Sequence, residues 1–424
     1  MNQIFQSIRG MHDFLPNDLF LFNKIQTILQ KILNNYCYSE IRMPILEKTE
    51  LFKKTIGDNT DIIEKEMYSF LDHGGRSITL RPEGTVGCVR ACIEHSLLYH
   101  KIQRLWYIGP MFRYERPQNG RYRQFYQLGV ETFGLDGPES DVELIMIAIR
   151  WWKKLGILPY LKLEINSIGS LQSRLVYKKE LIQFLDKHKS LLDINSRNKI
   201  ISNPFRILDD KNQNIQHLLQ KAPKLYNYLD EKSSIYFDNL CQLLNKMKIE
   251  YYINHFLVRG LDYYNDTVFE WTTTKLGSEN TVCAGGRYDL LVQYIGGNLI
   301  PAVGLAVGME RLILLFKNIY HNIQQSSSVD INILFSNHIL KSIQLSEEIR
   351  NIFPKLKIMI NYSGGSIKKQ LDKAYKSSVK IILFYCPNQK KTSIISMINV
   401  KEKNTNYFSK EEVIKNIHHI FNIS

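Results

Sequence analysis

Apolar side chains return every third or fourth position from Leu19 through Phe22, Ile25, Ile28, Leu29 and Ile32 to Leu33. That spacing predicts an amphipathic helix over 17–36, with Asn17 or Asp18 as its N-cap. The run "YSEIRM" before Pro44 reads as a strand end or edge. Residues 83–98 read as a helix opening near "RPEGT". Two aromatic-rich runs within 104–134 flank the turn signal Asn119-Gly120 and predict a hairpin. "DVELIMIAIRWWKKLG" (141–156) is a strongly apolar helix closed by Gly156, and "YLKLEINSIGS" is a strand running into a turn. Residues 171–250 turn Lys- and Leu-rich with helical spacing, which predicts an inserted, mostly helical module. Strands return at 251–258, 266–274 and 280–284, and "PAVGLAVGMERLILLF" (301–316) reads as a strand entering a buried helix.

The polar stretch "KNIYHNIQQSSSVD" (317–330) reads as a linker. After it, the strands "INILF", "KIMINY", "KIILFY" and "IISMINV" alternate with helices at 338–352, 366–377 and 410–421, the pattern of a small α/β domain. The organisation predicted is a mixed domain of strands and helices over 1–325 carrying the insert, followed by an α/β domain over 326–424. No repeat at solenoid or propeller spacing occurs.

Composition narrows the function classes. The chain of 424 residues has 44% hydrophobic and 23% charged residues, a globular balance with ample length for a core. The N-terminus lacks the basic-then-apolar order of a signal peptide, and no apolar run approaches bilayer length. Six cysteines without a CxxC pair point to a reduced, cytoplasmic protein and no membrane partner. The net charge of +14 points to a polyanionic partner. Residues 331–424 hold 15 Lys and Arg against 6 Asp and Glu, so this quarter is a candidate for phosphate contact.

Candidate chemistry centres on the hairpin. Side chains alternate faces along a strand, so Gln124, Tyr126, Leu128 and Val130 share one face, and Phe125, Gln127, Gly129 and Glu131 the other. In the first run, Phe112 and Tyr114 fall on the apolar face, opposite Arg113 and Glu115. The charged face is either a solvated surface with cross-strand ion pairs or a binding site. Gly109 and Gly129 thin that face as if something packs there, and Arg116, Arg121 and Arg123 add planar forks suited to phosphates. Arg beside Glu could hold a zwitterion. Neither GxxxxGK[ST] nor a strand-GxGxxG-helix occurs, so any ATP site must use another platform.

Other stretches are weak singly. Glu83 and Thr85 in "RPEGT" precede a helix, where an acid also suits the dipole. "LVRGLDYYNDTVFEW" offers Arg259, Tyr263 and Tyr264 ahead of a strand in which Val268 and Glu270 share a face. "AGGRYD" (284–289) permits close backbone approach or is a plain turn. Arg311 at the first turn of an apolar helix opposes the dipole and calls for an anionic partner, either a ligand or Glu310. The histidines form no HExxH or ligand cluster, and no metal site is expected.

Together these stretches closely resemble the histidyl-tRNA synthetases, a family of class II aminoacyl-tRNA synthetases, over nearly the whole chain from "RGMHDFLP" (9–16) onward. "RLWYIGPMFRYERPQNGRYRQFYQLGVE" is similar to the class II motif 2 hairpin and "GLAVGMERL" to motif 3. Pro44 is similar to the motif 1 proline at the dimer interface. "LVRGLDYY" and "AGGRYD" resemble the two segments peculiar to the histidine enzymes. The resemblance implies an α+β fold with a class II catalytic core, an antiparallel sheet flanked by helices. It implies an enzyme, a homodimer, that activates L-histidine with ATP and Mg2+ and transfers it to its tRNA, with Arg113 and Arg259 among the residues that bind histidine. It implies Arg113 and Arg259 at the α-phosphate as the catalytic pair, with Arg259 standing where other class II enzymes use a metal ion. Arg121 and Arg311 then hold the distal phosphates, Phe125 stacks on adenine and Glu115 lies near the adenine end. Glu131, Gln127 and Thr85 meet the ammonium of histidine. Glu83 and Tyr264 flank its imidazole, with Tyr263 alongside and the glycines at 285–286 as a wall. Arg116 and Gln118 touch the acceptor end of the tRNA. No editing domain is implied, because a buried site that pairs both imidazole nitrogens rejects isosteres directly.

The C-terminal part resembles the class IIa anticodon-binding domain more loosely, since "YCPNQKKTSII" lacks the Gly-Glu pair of that family. Two alternatives share the core: a non-catalytic regulatory subunit of ATP phosphoribosyltransferase, and an RNA-binding protein on an inactive synthetase fold. The first lacks the anticodon domain. The retention of Glu83, Arg113, Glu131, Arg259 and Arg311 speaks against both.

Overall fold

The computed structural model describes residues 4–57, 60–210, 212–277, 280–321, 329–334, 339–362, 364–377, 379–386, 394–402 and 404–422. The chain divides into two compact units, Met1–His321 and Asn322–Ser424.

The first unit opens with helix α1 (Pro16–Asn35). Its predicted cap is not used: Leu15 is the N-cap and makes no side-chain bond, while Pro16 occupies the first turn, where its missing N–H costs nothing. Strands β1 (Ser39–Glu40) and β2 (Leu46–Lys48) and helix α2 (Thr49–Ile56) follow. A single π-type turn spans Ile62–Glu66 before β3 (Tyr68–Leu71) and β4 (Ser77–Leu80), which with β2 form a three-stranded sheet. Helix α3 (Thr85–Glu94) leads to the hairpin strands β5 (Gln103–Phe112) and β6 (Gln124–Phe133). Helix α4 (Glu139–Leu155) and strand β7 (Lys162–Ser167) complete the first half.

The segment that the sequence marks as helical holds α5 (Leu171–Lys187), α6 (Ile194–Ser202), α7 (Phe205–Leu208), α8 (Gln213–Leu219) and α9 (Glu231–Lys246). The chain returns as β8 (Tyr252–Ile253), β9 (Asn265–Thr272), β10 (Thr281–Arg287), the short helix α10 (Leu291–Tyr294), β11 (Ala302–Gly308) and α11 (Met309–Ile319). Eight strands form one sheet in the order β1-β5-β6-β11-β10-β9-β7-β8. Every pairing from β5 to β7 is antiparallel, and the two-residue edge strands join in parallel.

Helix α4 explains why two adjacent tryptophans are both buried. The Trp151 indole N–H donates to the Leu29 carbonyl of α1 at 3.1 Å, while Trp152 meets Trp271 of β9 at a ring separation of 6.3 Å. The helix is thus wedged between α1 and the sheet, and each buried aromatic contributes about 1.5–3 kcal/mol over exposure.

Three sequence expectations change. The strand expected over 251–258 shrinks to Tyr252–Ile253, because the Asn254 side chain accepts the Phe256 N–H at 3.1 Å and turns the chain. The segment carrying Arg259 is therefore irregular. Tyr114 is 53% exposed rather than on the core, since β5 ends at Phe112 and strand alternation stops there. Both faces of the second half of β6 are buried, including Glu131 at 1% exposure, so no face of this strand is simply solvated.

The second unit is a five-stranded sheet in the order β13-β12-β14-β15-β16. In chain order it runs β12 (Ile331–Leu334), α12 (Ile339–Ile352), β13 (Ile358–Asn361), α13 (Ile367–Lys376), β14 (Ile381–Tyr385), β15 (Ile395–Asn399), β16 (Asn404–Phe408) and α14 (Lys410–Phe421). Strand β16, "NTNYF", is mostly exposed and polar, so nothing in its pattern announced it. Helix α14 starts with a reciprocal cap between Ser409 and Glu412. Ile331, Ile333, Leu345, Ile349, Ile381 and Leu383 help form a core belonging to this unit. The middle of the linker (322–328) and the segment lacking the Gly-Glu pair (387–393) lie outside the described residues.

Candidate active site

The strands of the large sheet bring distant sequence together. Pairing of β6 with β5 and β11 sets Gln127 opposite Gly109 and Gly308, and Glu131 opposite Leu105 and Gly304. A Cβ at Gly304 would collide with the Glu131 carboxylate, so glycine is required there. Glycine at 109 and 129 also has a reason, though not the expected one. The Arg81 guanidinium fills the space over Gly109, and the Tyr107 ring fills the space over Gly129. Over these two glycines the face receives the protein's own side chains.

Under that face lies a buried carboxylate cluster. Glu131 accepts from Thr85 Oγ1 and from the Tyr107 hydroxyl, each at 2.9 Å, and from the Tyr288 hydroxyl in a short hydrogen bond. Burial pushes its carboxyl up to about 8, against the lowering effect of those three donors. Glu83 is 2% exposed and accepts the backbone N–H groups of Thr85 and Val86 at 2.8 Å, so it caps α3 from within. Burial raises Glu83 as well, and the nearby Arg113 works the other way. The Tyr263 hydroxyl donates to Glu83 at 3.3 Å, and the Tyr263 ring lies 4.8 Å from that of Tyr264. Gly286 packs against Tyr264, and Gly285 against Phe269 and the Gly304 carbonyl.

A cavity of about 720 Å³ opens beside this cluster, lined by Arg113, Glu115, Phe125, Gln127, Arg259 and Arg311 among others. A second cavity of about 930 Å³ shares Arg113, Glu115, Arg121 and Arg259 and reaches Gln118. The Arg113 Nε donates to the Pro82 carbonyl at 2.8 Å, and its guanidinium stands 5.3 Å from the Phe125 ring. Burial lowers Arg113, with Glu66 and Glu83 opposing. Arg121 forms a close ion pair with Glu115. Arg311 donates to the carbonyls of Gly120 at 3.0 Å and Thr281 at 3.1 Å, which ties the hairpin tip to the next strands. Glu310 turns instead to the Tyr126 N–H at 2.8 Å, and burial raises it to about 7. Arg259 pairs with Glu270, and its guanidinium lies 5.5 Å from the Tyr264 ring. Burial alone would lower Arg259, yet Glu270 carries the net shift upward.

The hairpin tip is a bridge between Gln118 and Arg121 that encloses Asn119 and Gly120, with Gly120 at φ +75°. Arg116 is exposed on this loop and lines neither cavity. The site residues therefore fall into three groups. Glu83, Thr85, Glu131, Tyr263 and Tyr264 are buried together; Arg113, Glu115, Arg121, Phe125, Gln127, Arg259 and Arg311 border the cavities; Arg116 and Gln118 stand on the loop. Sequence reasoning gave no role to Tyr107, Tyr288 or Glu270. A tyrosine facing a glycine across the hairpin was the available signal for Tyr107.

Among the described residues no group of three or more His, Cys, Asp or Glu could hold a metal ion. Within "AGGRYD", Arg287 is buried and donates to Asp141 at 2.8 Å and Asp289 at 3.0 Å, a structural pairing away from the cavities.

Comparisons with known proteins bear on this geometry. A family model described as histidyl-tRNA synthetase matches residues 10–312. A histidine–tRNA ligase of Buchnera aphidicola subsp. Schizaphis graminum is 53% identical over 425 residues, covering 99% of each chain. The crystal structure of apo S. aureus histidyl-tRNA synthetase superposes with a TM-score of 0.80 at 30% identity, covering 97% of this chain and 99% of its own. A Bacillus halodurans structure titled ATP phosphoribosyltransferase regulatory subunit/histidyl-tRNA synthetase has a TM-score of 0.65 at 22% identity, covering 91% and 99%, and shares the fold.

Proposed function

Because the chain belongs to the histidyl-tRNA synthetase family, we propose that its arginine-lined cavity is where histidine and ATP react. The enzyme attaches histidine to tRNA and uses ATP to do so. The regulatory-subunit reading is the less supported one, since the relative matched over 99% of both chains is named a ligase.

One observation carries the assignment of the site. Arg113 from the end of β5 and Arg259 from the irregular segment before β9 border the same cavity, beside the buried Glu83 and Glu131. In the first step a carboxylate oxygen of histidine attacks the α-phosphorus of ATP, the bond to the bridging oxygen breaks, and pyrophosphate leaves. Charge builds on the phosphorus oxygens, and positioned cations lower that barrier. Arg113 and Arg259 take this role, while Arg121 and Arg311 hold the distal phosphates. Phe125 offers a face for adenine, and Glu115 lies at the adenine end. Magnesium would accompany the nucleotide substrate and supply charge neutralisation on its phosphates.

Glu131, with Thr85 and Gln127, receives the α-ammonium. Glu83 and the paired tyrosines 263 and 264 receive the imidazole. In the second step the 3′-terminal ribose hydroxyl of tRNA attacks the acyl carbon and AMP leaves, with Arg116 and Gln118 set toward the acceptor end. The first unit is the catalytic domain, with 171–250 as its insert, and the second binds the anticodon region. A homodimer fits the exposed apolar side chains Ile45, Leu46, Phe70 and Leu71 near Pro44 and on the three-stranded sheet.

Purified protein is expected to exchange labelled pyrophosphate into ATP only when histidine is present; no exchange would defeat the assignment. A pH dependence follows from Glu131. Its carboxyl is held up at about 8 by burial, so below that pH it is protonated in the free site. Capture of an ammonium group needs the carboxylate, so one proton must be released on binding. The KM for histidine in the exchange assay is expected to fall by up to about tenfold per pH unit from pH 7 to 8, then level off. A KM constant across that range would remove Glu131 from the ammonium site.

A further inference from the structure

Glu270 is placed at a cost. The register of β9 on β7 sets it directly opposite Glu164, a carboxylate facing a carboxylate across two strands. Like charges so placed are unfavourable unless each has its own partner. Glu164 accepts from Asn254 Nδ2 at 2.7 Å and pairs with Lys162 at 3.4 Å. Glu270 uses both oxygens on other partners. One forms a close ion pair with Arg259 Nη1, and the other accepts from Thr281 Oγ1 at 2.8 Å.

Arg259 needs such a holder. It lies outside any strand, next to Gly260, so no ladder of backbone hydrogen bonds fixes it. Its Nε is buried and has no acceptor among the described residues. A phosphate or carboxylate oxygen entering the cavity meets Arg259 as one of its lining residues, and the Nη1 edge is already tied down by Glu270. The same Thr281 presents its carbonyl to Arg311 at 3.1 Å, so one residue of β10 braces both arginines.

We propose that Glu270 is a positioning residue for the activation step. It aims the Arg259 guanidinium at the reacting phosphate, and Thr281 holds its carboxylate in place. Glu270 also balances the arginine's charge before substrates arrive. This rests on the assignment of Arg259 to the α-phosphate. Without Glu270 the cation remains but is free to swing, so anion binding survives while the transition state loses a fixed partner.

The test is Glu270→Gln, which keeps shape and removes charge. The exchange kcat is expected to fall on the order of 10²-fold, as for a roughly 1 Å misplacement of a reacting group. The KM for ATP should stay level or drop, and the KM for histidine should stay within about threefold, because the lost interaction is specific to the transition state. Thr281→Val should lower kcat in the same direction by a smaller factor, and it decides the matter if the glutamine variant does not fold. An exchange rate for both variants within about threefold of the parent overturns the proposal. So does a uniform rise of both KM values with a lowered Tm, which marks a merely structural role. Arg259→Ala measured alongside separates the two levels. Full activity there defeats the underlying assignment, whereas an inactive Arg259→Ala beside an active Glu270→Gln defeats only the role of Glu270.

Discussion

Arg259→Ala is expected to reduce histidine-dependent ATP–pyrophosphate exchange by about 10³-fold or more, the range seen when one cation or donor serving a phosphoryl-transfer transition state is removed. Histidine binding should weaken only modestly, because the carboxylates and tyrosines assigned to the amino acid are held by other bonds. Glu131 has Thr85, Tyr107 and Tyr288, and Glu83 has two backbone N–H groups. The substitution also strands Glu270, whose side chain is 15% exposed. An unpaired carboxylate so nearly buried costs about 3 kcal/mol, so a lowered Tm is expected too. The double variant Arg259→Ala, Glu270→Gln removes the stranded charge. It should recover most of the Tm and none of the exchange, which separates chemistry from folding. Near-normal exchange by the single variant would show that Arg259 does not serve the reacting phosphate.

Sequence carried the chemistry of this site further than its geometry. The hairpin was readable because Asn119-Gly120 sits between two runs with strand composition, and the structure closes that tip between Gln118 and Arg121. Helix α4 was readable from its apolar run and its glycine stop, and α14 from its spacing. Strands β1 and β8 fall inside the segments read as strands, "YSEIRM" and 251–258, but each pairs over only two residues, and β16, polar throughout most of its length, went unread. The extent of these short strands depends on a neighbour's backbone more than on their own pattern.

The misses in the site have the same origin. Tyr288 reaches Glu131 across 157 positions, and Tyr107 reaches it across 24. Glu270 meets Arg259 across eleven positions, and only the folded chain shows that this strand carboxylate pairs with an arginine in the irregular segment before β9. Gly109 and Gly129 were correctly seen as gaps, but only the folded chain shows that Arg81 and Tyr107 fill them. A residue's type announces what it can do; register decides what it meets.

The second large effect concerns the separate C-terminal unit. A chain ending at residue 325 is expected to keep pyrophosphate exchange close to the parent level while its kcat/KM for tRNA charging falls on the order of 10²-fold, the loss typical when one of two linked binding surfaces is removed. The first half follows from where the cores lie. The groups assigned to the reaction all belong to Met1–His321, and the C-terminal unit has its own apolar core around Ile331, Ile333, Ile381 and Leu383. Exchange needs only histidine, ATP and pyrophosphate, so nothing in that reaction calls on residues beyond 325. The second half follows from charge. With 15 Lys and Arg against 6 Asp and Glu in residues 331–424, this unit is strongly cationic, and phosphate contacts made by such a surface are expected to release counterions on binding. Truncation should therefore flatten the salt dependence of the KM for tRNA as well as raise it. A mutation in the catalytic site would lower kcat and leave that slope unchanged. Undiminished tRNA charging by the shortened chain, with the slope intact, would mean that tRNA is held by the catalytic unit alone and that the basic C-terminal unit serves something else.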